Sequence, residues 1–269
     1  MRTFVTGAAG FIGSTLVDRL LADGHHVVGM DDLSSGRMAN LDDARRSDGF
    51  TFIEDSVTSS ALADLVTTAA PEAIFHLAAQ VDVRKSVDDP FHDARTNVLG
   101  TINILEASRR AGVQRIVFAA SGGSRYGEPT DLPVGEDVPP NPLSPYAAAK
   151  VAGELYLGAY AGMYGLAPIC LALANVYGPR QDPHGEAGVV AIFGSAMLTG
   201  RPTAIFGNGT ASRDYVYVGD VVDAFVRAGV ATKAISGTFN IGSGVQTTTA
   251  ELHQLMSEVI GIPSQPLYK

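Results

Sequence analysis

The segment FVTGAAGFIGSTLV (4–17) sets Gly7, Gly10 and Gly13 at GxxGxxG spacing, between a short apolar strand pattern and a helical one. In a strand–turn–helix of this kind each glycine meets a separate steric demand. Gly7 permits the tight turn, Gly10 lets the backbone approach a pyrophosphate, and Gly13 lets the helix pack against the strand. The free N–H groups at the helix start then favour an anion. A plain glycine-rich turn is the bland alternative. The next strand candidate, HHVVGMD (25–31), favours the dinucleotide reading because it ends in Asp31. A carboxylate there accepts hydrogen bonds from an adenosine ribose and repels a 2′-phosphate, which points to NAD rather than NADP. LSSGR (33–37) can cover the adenosine end, and its Arg37 keeps NADP as a minor reading.

Further strand candidates follow at FTFIE (50–54), EAIFHLA (72–78), RIVFAA (115–120) and APICLAL (167–173). Helical patterns separate them at 11–22, 61–70, 96–111 and 146–164. This βαβα alternation predicts an α/β fold: a Rossmann-type, doubly wound parallel sheet with ligands at the carboxyl ends of its strands. After Asn175 the rhythm changes. VYGPRQDPHGEAG (176–188) reads as a long functional loop, followed by helices near 189–199, 220–231 and 249–260 and short strands in TAIFG and GTFNIG. The expected organisation is an NAD-binding domain over 1–174, with 213–236 packing back onto it. A smaller C-terminal substrate lobe takes 175–212 and 237–269.

A formal net charge of −9 argues against a general nucleic-acid surface, so a polyphosphate ligand needs local arginine or helix-terminus help. One cysteine, Cys170, excludes an internal disulfide and fits a reducing compartment. No apolar run approaches a membrane span and no signal-peptide pattern opens the chain, so a cytoplasmic protein is expected. The histidines form no metal-ligand spacing, and no metal is expected.

Two stretches carry chemistry. SPYAAAK puts Tyr146 and Lys150 at i, i+4, on one face of a helix. A phenol is a poor base at neutral pH, but a nearby lysine cation and a nicotinamide charge favour phenolate. The bland reading is an ordinary amphipathic helix. RIVFAASGGSRYG (115–127) ends a buried strand in two glycines flanked by hydroxyls, either as a turn or as a site of close ligand approach.

GxxGxxG, Asp31, FHLAAQ (75–80), NVLGT (97–101), YAAAK and NVYGPRQ (175–181) occur in the order that resembles extended short-chain dehydrogenases/reductases. The pattern is most similar to the nucleotide-sugar 4-epimerase branch. The resemblance covers nearly the whole chain and implies a bound NAD, a UDP-sugar substrate and a homodimer. It implies cofactor contacts from Gly7, Gly10, Phe11, Ile12, Gly13, Asp31, Asp32, Leu33, Ser35, Gly36, Ser56 and Val57. Leu77, Ala78, Ala79, Gln80, Asn97, Ala119, Tyr146 and Lys150 complete that set. Tyr146 is the implied base on the sugar 4-hydroxyl, Lys150 the nicotinamide-ribose ligand, and Ser121 the hydroxyl that assists the base. Substrate contacts are implied for Ser86, Ser121, Gly122, Tyr146, Asn175, Gly188, Val189, Val190, Ile205, Phe206 and Arg213. Ser86 as a helix cap and Arg213 as a partner of Asp214 are the bland readings.

The implied reaction is 4-epimerization of a UDP-hexose of the glucose/galactose type, through a 4-keto sugar and bound NADH. A UDP-glucuronate 4-epimerase shares the machinery, with Arg125 or Arg180 available to a sugar carboxylate. A 4,6-dehydratase needs an acidic pair after the active-site strand, where this chain has Gly122 and Gly123. A non-catalytic NAD sensor would not need Tyr146 and Lys150. Family members also continue beyond Lys269, so a closing segment of the small lobe is expected to be missing. They commonly carry Ser or Thr four residues before the tyrosine of the YG pair, where this chain has Gly122. The expectation is that Ser121 takes over and that the glycines leave room for the sugar to turn.

Overall fold

The computed structural model describes residues 1–183 and 188–269; residues 184–187, in the loop expected at 176–188, lie outside the described residues. The strands are β1 (Arg2–Thr6), β2 (His26–Asp31), β3 (Phe50–Glu54), β4 (Ala73–His76), β5 (Arg115–Ser121) and β6 (Ala167–Leu173), followed by β7 (Asn175–Tyr177), β8 (Ala204–Ile205), β9 (Ser212–Tyr217), β10 (Gly237–Ile241), β11 (Gln246–Thr248) and β12 (Leu267–Tyr268). The helices are α1 (Phe11–Ala22), α2 (Leu62–Ala69), α3 (Val83–Asp88), α4 (Pro90–Ala94), α5 (Gly100–Ala111) and α6 (Gly122–Arg125), then α7 (Pro145–Tyr164), α8 (Val189–Leu198), α9 (Val218–Val230) and α10 (Thr249–Ile260).

Seven strands form a parallel sheet in the order β10-β6-β5-β4-β1-β2-β3. Both faces are covered, so neighbouring residues on a strand are buried on opposite sides. Phe4, Ile74, Ile116 and Phe118 pack with Leu62, Ile104, Leu105 and Leu157 from α2, α5 and α7. Val5, Phe75 and Val117 pack on the other side with Leu16, Val17, Val221 and Phe225 from α1 and α9. The strand order reverses across the sheet between β1 and β4, which opens a crevice at their carboxyl ends.

α9 is held on the sheet by more than its apolar stripe. The buried Arg115 guanidinium donates to the carbonyls of Ala231 and Thr232 past the helix end, and to those of Ala167 and Ile235. The strand at 237–241, expected in the smaller lobe, is instead the edge strand of the large sheet, parallel to β6. Its pairing needs only an open strand edge, which β6 offers.

The helix expected from Thr96 is also different. Residues Arg95–Leu99 form one π-helical turn before α5 begins at Gly100. Such a turn redirects side chains and often marks a functional site; here Asn97 is buried within it. α7 starts where Ser144 accepts from the Ala147 N–H at 3.1 Å, with Pro145 in the first turn, and stops at Gly165 in the left-handed region. Beyond the main sheet, β11-β9-β7 form a three-stranded sheet and β8 pairs with β12. α8 packs there through Phe193 and Met197 against Ile205.

Candidate active site

The crevice floor is the turn after β1. Gly7 has φ +70°, and a Cβ there would stand 2.7 Å from the Ala78 nitrogen. A Cβ on Gly13 would overlap the Gly7 carbonyl. Gly10 caps α1 without a side chain, so the amides of Phe11 and Ile12 face the crevice end of the helix uncapped. Opposite, the Leu77 and Ala78 N–H groups donate to the Thr6 hydroxyl at 3.2 and 3.1 Å, fixing the loop after β4 against the turn after β1. This side-chain-free cradle suits a dinucleotide pyrophosphate.

Asp31 ends β2 at the adenosine side. One carboxylate oxygen accepts from Ala9 N at 2.9 Å and the other from Leu33 N at 2.8 Å. Burial pushes its pKa up against these amide bonds. Leu33 has φ +57°, and Asp32 turns the other way to bind Ser34. Ser35 and Gly36 complete the turn, and Arg37, the group that kept NADP open, is paired with Asp182 at 2.8 Å. After the neighbouring strand β3, Ser56 bonds Thr58, while Val57 is buried and packs against Gly100.

Tyr146 and Lys150 lie on one face of α7, with the Lys150 nitrogen 5.9 Å from the Tyr146 ring centroid. Lys150 donates to the Ala119 carbonyl at 2.9 Å. Burial lowers its pKa to about 8, opposed by the charges of Asp93 and Glu154. Burial raises Tyr146 to about 12, opposed by a hydrogen bond from Ser121 and reinforced by the Asp93 charge. The Ser124 hydroxyl in turn donates to Ser121. Ser121, the last residue of β5, thus stands between the Tyr146 phenol and Ser124.

Several expectations need correction. Ser86, expected to approach the substrate, is fully buried: its hydroxyl donates to Val83 at 2.6 Å and accepts from Tyr146 N at 3.2 Å. It holds the start of α7 instead. Gly122 does not leave room for a sugar; a Cβ there would meet the Ala172 carbonyl at 2.8 Å, so the glycine serves the packing of the turn on β6. Gly123 is the open one, with Asn175 Oδ1 at 3.7 Å from its Cβ position. Ile205 is buried in the apolar cluster with Phe193 and Met197, while Phe206, just past the end of β8, is exposed.

Neither arginine considered for an acidic sugar is unpaired. Arg125 is buried in an ion pair with Glu154, and Arg180 binds Asp18 at 2.7 Å. Gly188 caps α8 without a side-chain bond, leaving the first-turn amides of Val189 and Val190 facing outward. Arg213 is exposed on β9; Asp214 is taken up by Ser243 and Gly244 rather than by Arg213. Asn97 and Gln80 are bonded to one another and to Asp93. Sequence reasoning missed Asp93, whose only trace is an acid four residues before Asn97.

The chain is similar to known proteins over its whole length. UDP-glucose 4-epimerase of Mycolicibacterium smegmatis is 59% identical over 266 residues, covering 99% of this chain and 85% of that protein. The crystal structure of UDP-glucose 4-epimerase with UDP-glucose from Thermotoga maritima superposes with a TM-score of 0.94 at 45% identity, covering 100% of this chain and 85% of that one. The Thermus thermophilus UDP-glucose 4-epimerase complex with NAD gives a TM-score of 0.92 at 42% identity, covering 100% and 86%. Residues 3–242 match the NAD dependent epimerase/dehydratase family, and the chain belongs to that family.

Proposed function

We propose that the chain interconverts the C4 epimers of a UDP-hexose of the glucose/galactose type with a bound NAD. The observation that carries this is the Ser121–Tyr146–Lys150 set at the carboxyl end of the sheet, beside the glycine cradle. NAD supplies the hydride acceptor and donor at C4 of the sugar. Tyr146 takes the C4 hydroxyl proton as the 4-keto sugar forms, and returns it to the same oxygen once the sugar has turned its opposite face to the hydride donor. Ser121 donates to the phenolic oxygen, and Lys150 adds positive charge; both favour phenolate. The α8 amides at Gly188, Val189 and Val190, with Arg213, hold the diphosphate while the sugar turns, and Asn175 faces that end.

The burial of Arg125 in its ion pair with Glu154 supports a neutral hexose over a glucuronate. Parallel incubation with UDP-glucose, UDP-N-acetylglucosamine and UDP-glucuronate, followed by sugar analysis, tests the reading. Conversion of UDP-glucuronate alone overturns it.

The reading includes a homodimer. α7 carries Leu155 and Met163 exposed on one side, next to exposed Phe91 and Leu99 on the flanking helical segment. A two-fold pairing of these helices would cover them. Sedimentation at the monomer mass would refute the dimer. A cytoplasmic setting suits the buried, unpaired Cys170; among the described residues no helix is long and apolar enough to cross a membrane.

A further inference from the structure

Asp93 has no part in the scheme above, yet it is a carboxylate at 1% exposure beside the residues that do. Its Oδ1 accepts from Asn97 Nδ2 and from Gln80 Nε2, each at 2.9 Å. Those two residues also close on each other. Gln80 N donates to Asn97 Oδ1, and Asn97 Nδ2 donates to the Gln80 carbonyl, again at 2.9 Å. The ring ties α4 and the π-helical turn to the loop after β4, which forms one wall of the dinucleotide cradle. α4 and the π-helical turn also pack against α7, the helix of Tyr146 and Lys150.

A buried acid is normally neutralised by a cation that binds it directly. Asp93 instead takes its hydrogen bonds from two neutral amides. α4, which carries Asp93, packs against α7, which carries Lys150. The titratable groups whose charge bears on Lys150 or that lie beside it are Asp93 from α4, Glu154 and Tyr146 from α7, and His76 from β4. Glu154 is committed to Arg125, and Tyr146 and His76 are neutral near pH 7. Asp93 therefore brings the negative charge not already spent on a guanidinium.

Resting on the function proposed above, we infer that Asp93 is a positioning residue: it locks Gln80 and Asn97 against the cofactor loop and keeps Lys150 cationic beside Tyr146. Both of its side-chain bonds fall on one oxygen. Asp93→Asn can keep both through its carbonyl while losing the charge, which separates the electrostatic role from packing. Without that charge, burial pushes Lys150 to lose its proton at lower pH.

The experiment measures NAD affinity by calorimetry across pH 6 to 9.5, alongside UDP-glucose turnover, for the parent and D93N. At the acid end, D93N is expected to bind NAD as the parent does. The midpoint at which NAD affinity weakens with rising pH should fall by about one unit, the scale of one strong charge contact. Turnover at pH 8 should drop about tenfold through kcat while KM stays within about twofold, since the charge acts on proton transfer rather than on sugar binding. An NAD profile that superimposes on the parent overturns the inference, and so does an equal loss of affinity at every pH, which is the mark of packing alone. Asp93→Ser, which retains a hydroxyl acceptor, repeats the comparison should the amide variant misfold. A parent that binds NAD but leaves every UDP-hexose unchanged refutes the proposed function, while the NAD profiles still decide the role of Asp93.

Discussion

The Ser124 hydroxyl donates to the Ser121 hydroxyl at 2.8 Å, which leaves Ser121 its own proton to give to the Tyr146 phenol. The chain of donors is directional: each hydroxyl has one proton, and each passes it toward the tyrosine. Ser121→Ala removes the donor that favours phenolate, so the pH at which activity rises should move upward. The loss in kcat should be between about tenfold and a hundredfold, somewhat less than removal of a full oxyanion-hole donor. Ser124→Ala leaves Ser121 in place but free to rotate, and its effect should be a few-fold in kcat. Steady-state pH profiles of the two variants check the order; equal losses would break the relay.

Tyr146→Phe keeps the ring and the Ser86 contact to its backbone nitrogen, and removes only the oxygen that handles the proton. Turnover should fall by about a thousandfold or more, within the usual contribution of a positioned acid–base group. NAD should remain bound, because the glycine cradle and Asp31 are untouched. Activity assays and cofactor content of the purified variant test this together; full activity removes Tyr146 from the role of base.

The central strands were legible because they are apolar runs buried on both faces, as β6 is at all seven of its residues. The edge strand β3 kept the expected bounds although none of its residues is buried, and the edge strand β10 was expected in the smaller lobe. The cradle was legible because a missing Cβ at Gly7 or Gly13 is a demand that sequence spacing reveals. The roles of Gly122 and Ser86 were not. A glycine beside a site looks the same whether it yields space to a ligand or to the β6 backbone, and only the 2.8 Å approach of the Ala172 carbonyl separates the two. Ser86 is distant in sequence from the helix it holds. Asp93 was hidden for a related reason: its partners come from the loop after β4 and from a π-helical turn, a geometry that 3.6-residue periodicity does not predict.

Arg125 and Glu154 join the SGGSRYG turn to α7, and Thr238 of β10 also donates to Glu154 at 2.8 Å. One atom of each partner, Arg125 Nε and Glu154 Oε1, is buried without a hydrogen bond among the described residues. Such a pair carries a large desolvation penalty that it only partly offsets. Removing one partner strands the other, so Arg125→Met and Glu154→Gln should each lower unfolding free energy by about 3 kcal/mol. The double variant should recover much of that loss. Urea unfolding of the three variants reads the coupling, and strict additivity would contradict it.

His76 makes stability depend on acid. The Thr6 hydroxyl accepts from two backbone amides, so its proton goes to His76 Nδ1 at 2.8 Å. The Thr101 hydroxyl gives its proton to the Asn97 carbonyl at 2.7 Å, so His76 Nε2 must donate to it at 3.1 Å. The imidazole is therefore neutral with its proton on Nε2, and a second proton would face the Thr6 donor. Burial, helped by the Lys150 charge, lowers its pKa to about 3. The unfolded chain binds this proton near pH 6.5 and the folded one does not. The stabilisation is thus complete above about pH 6.5 and is lost as pH falls toward 3, at up to about 1.4 kcal/mol per pH unit. Between pH 6 and pH 4.5 the group should remove about 2 kcal/mol. His76→Asn retains an acceptor toward Thr6 and cannot titrate there. It should be less stable than the parent at pH 7, and its stability should decline less steeply between pH 6 and pH 4.5. Urea unfolding at these pH values measures both, and parallel declines in the two proteins would show that His76 is not the group responsible.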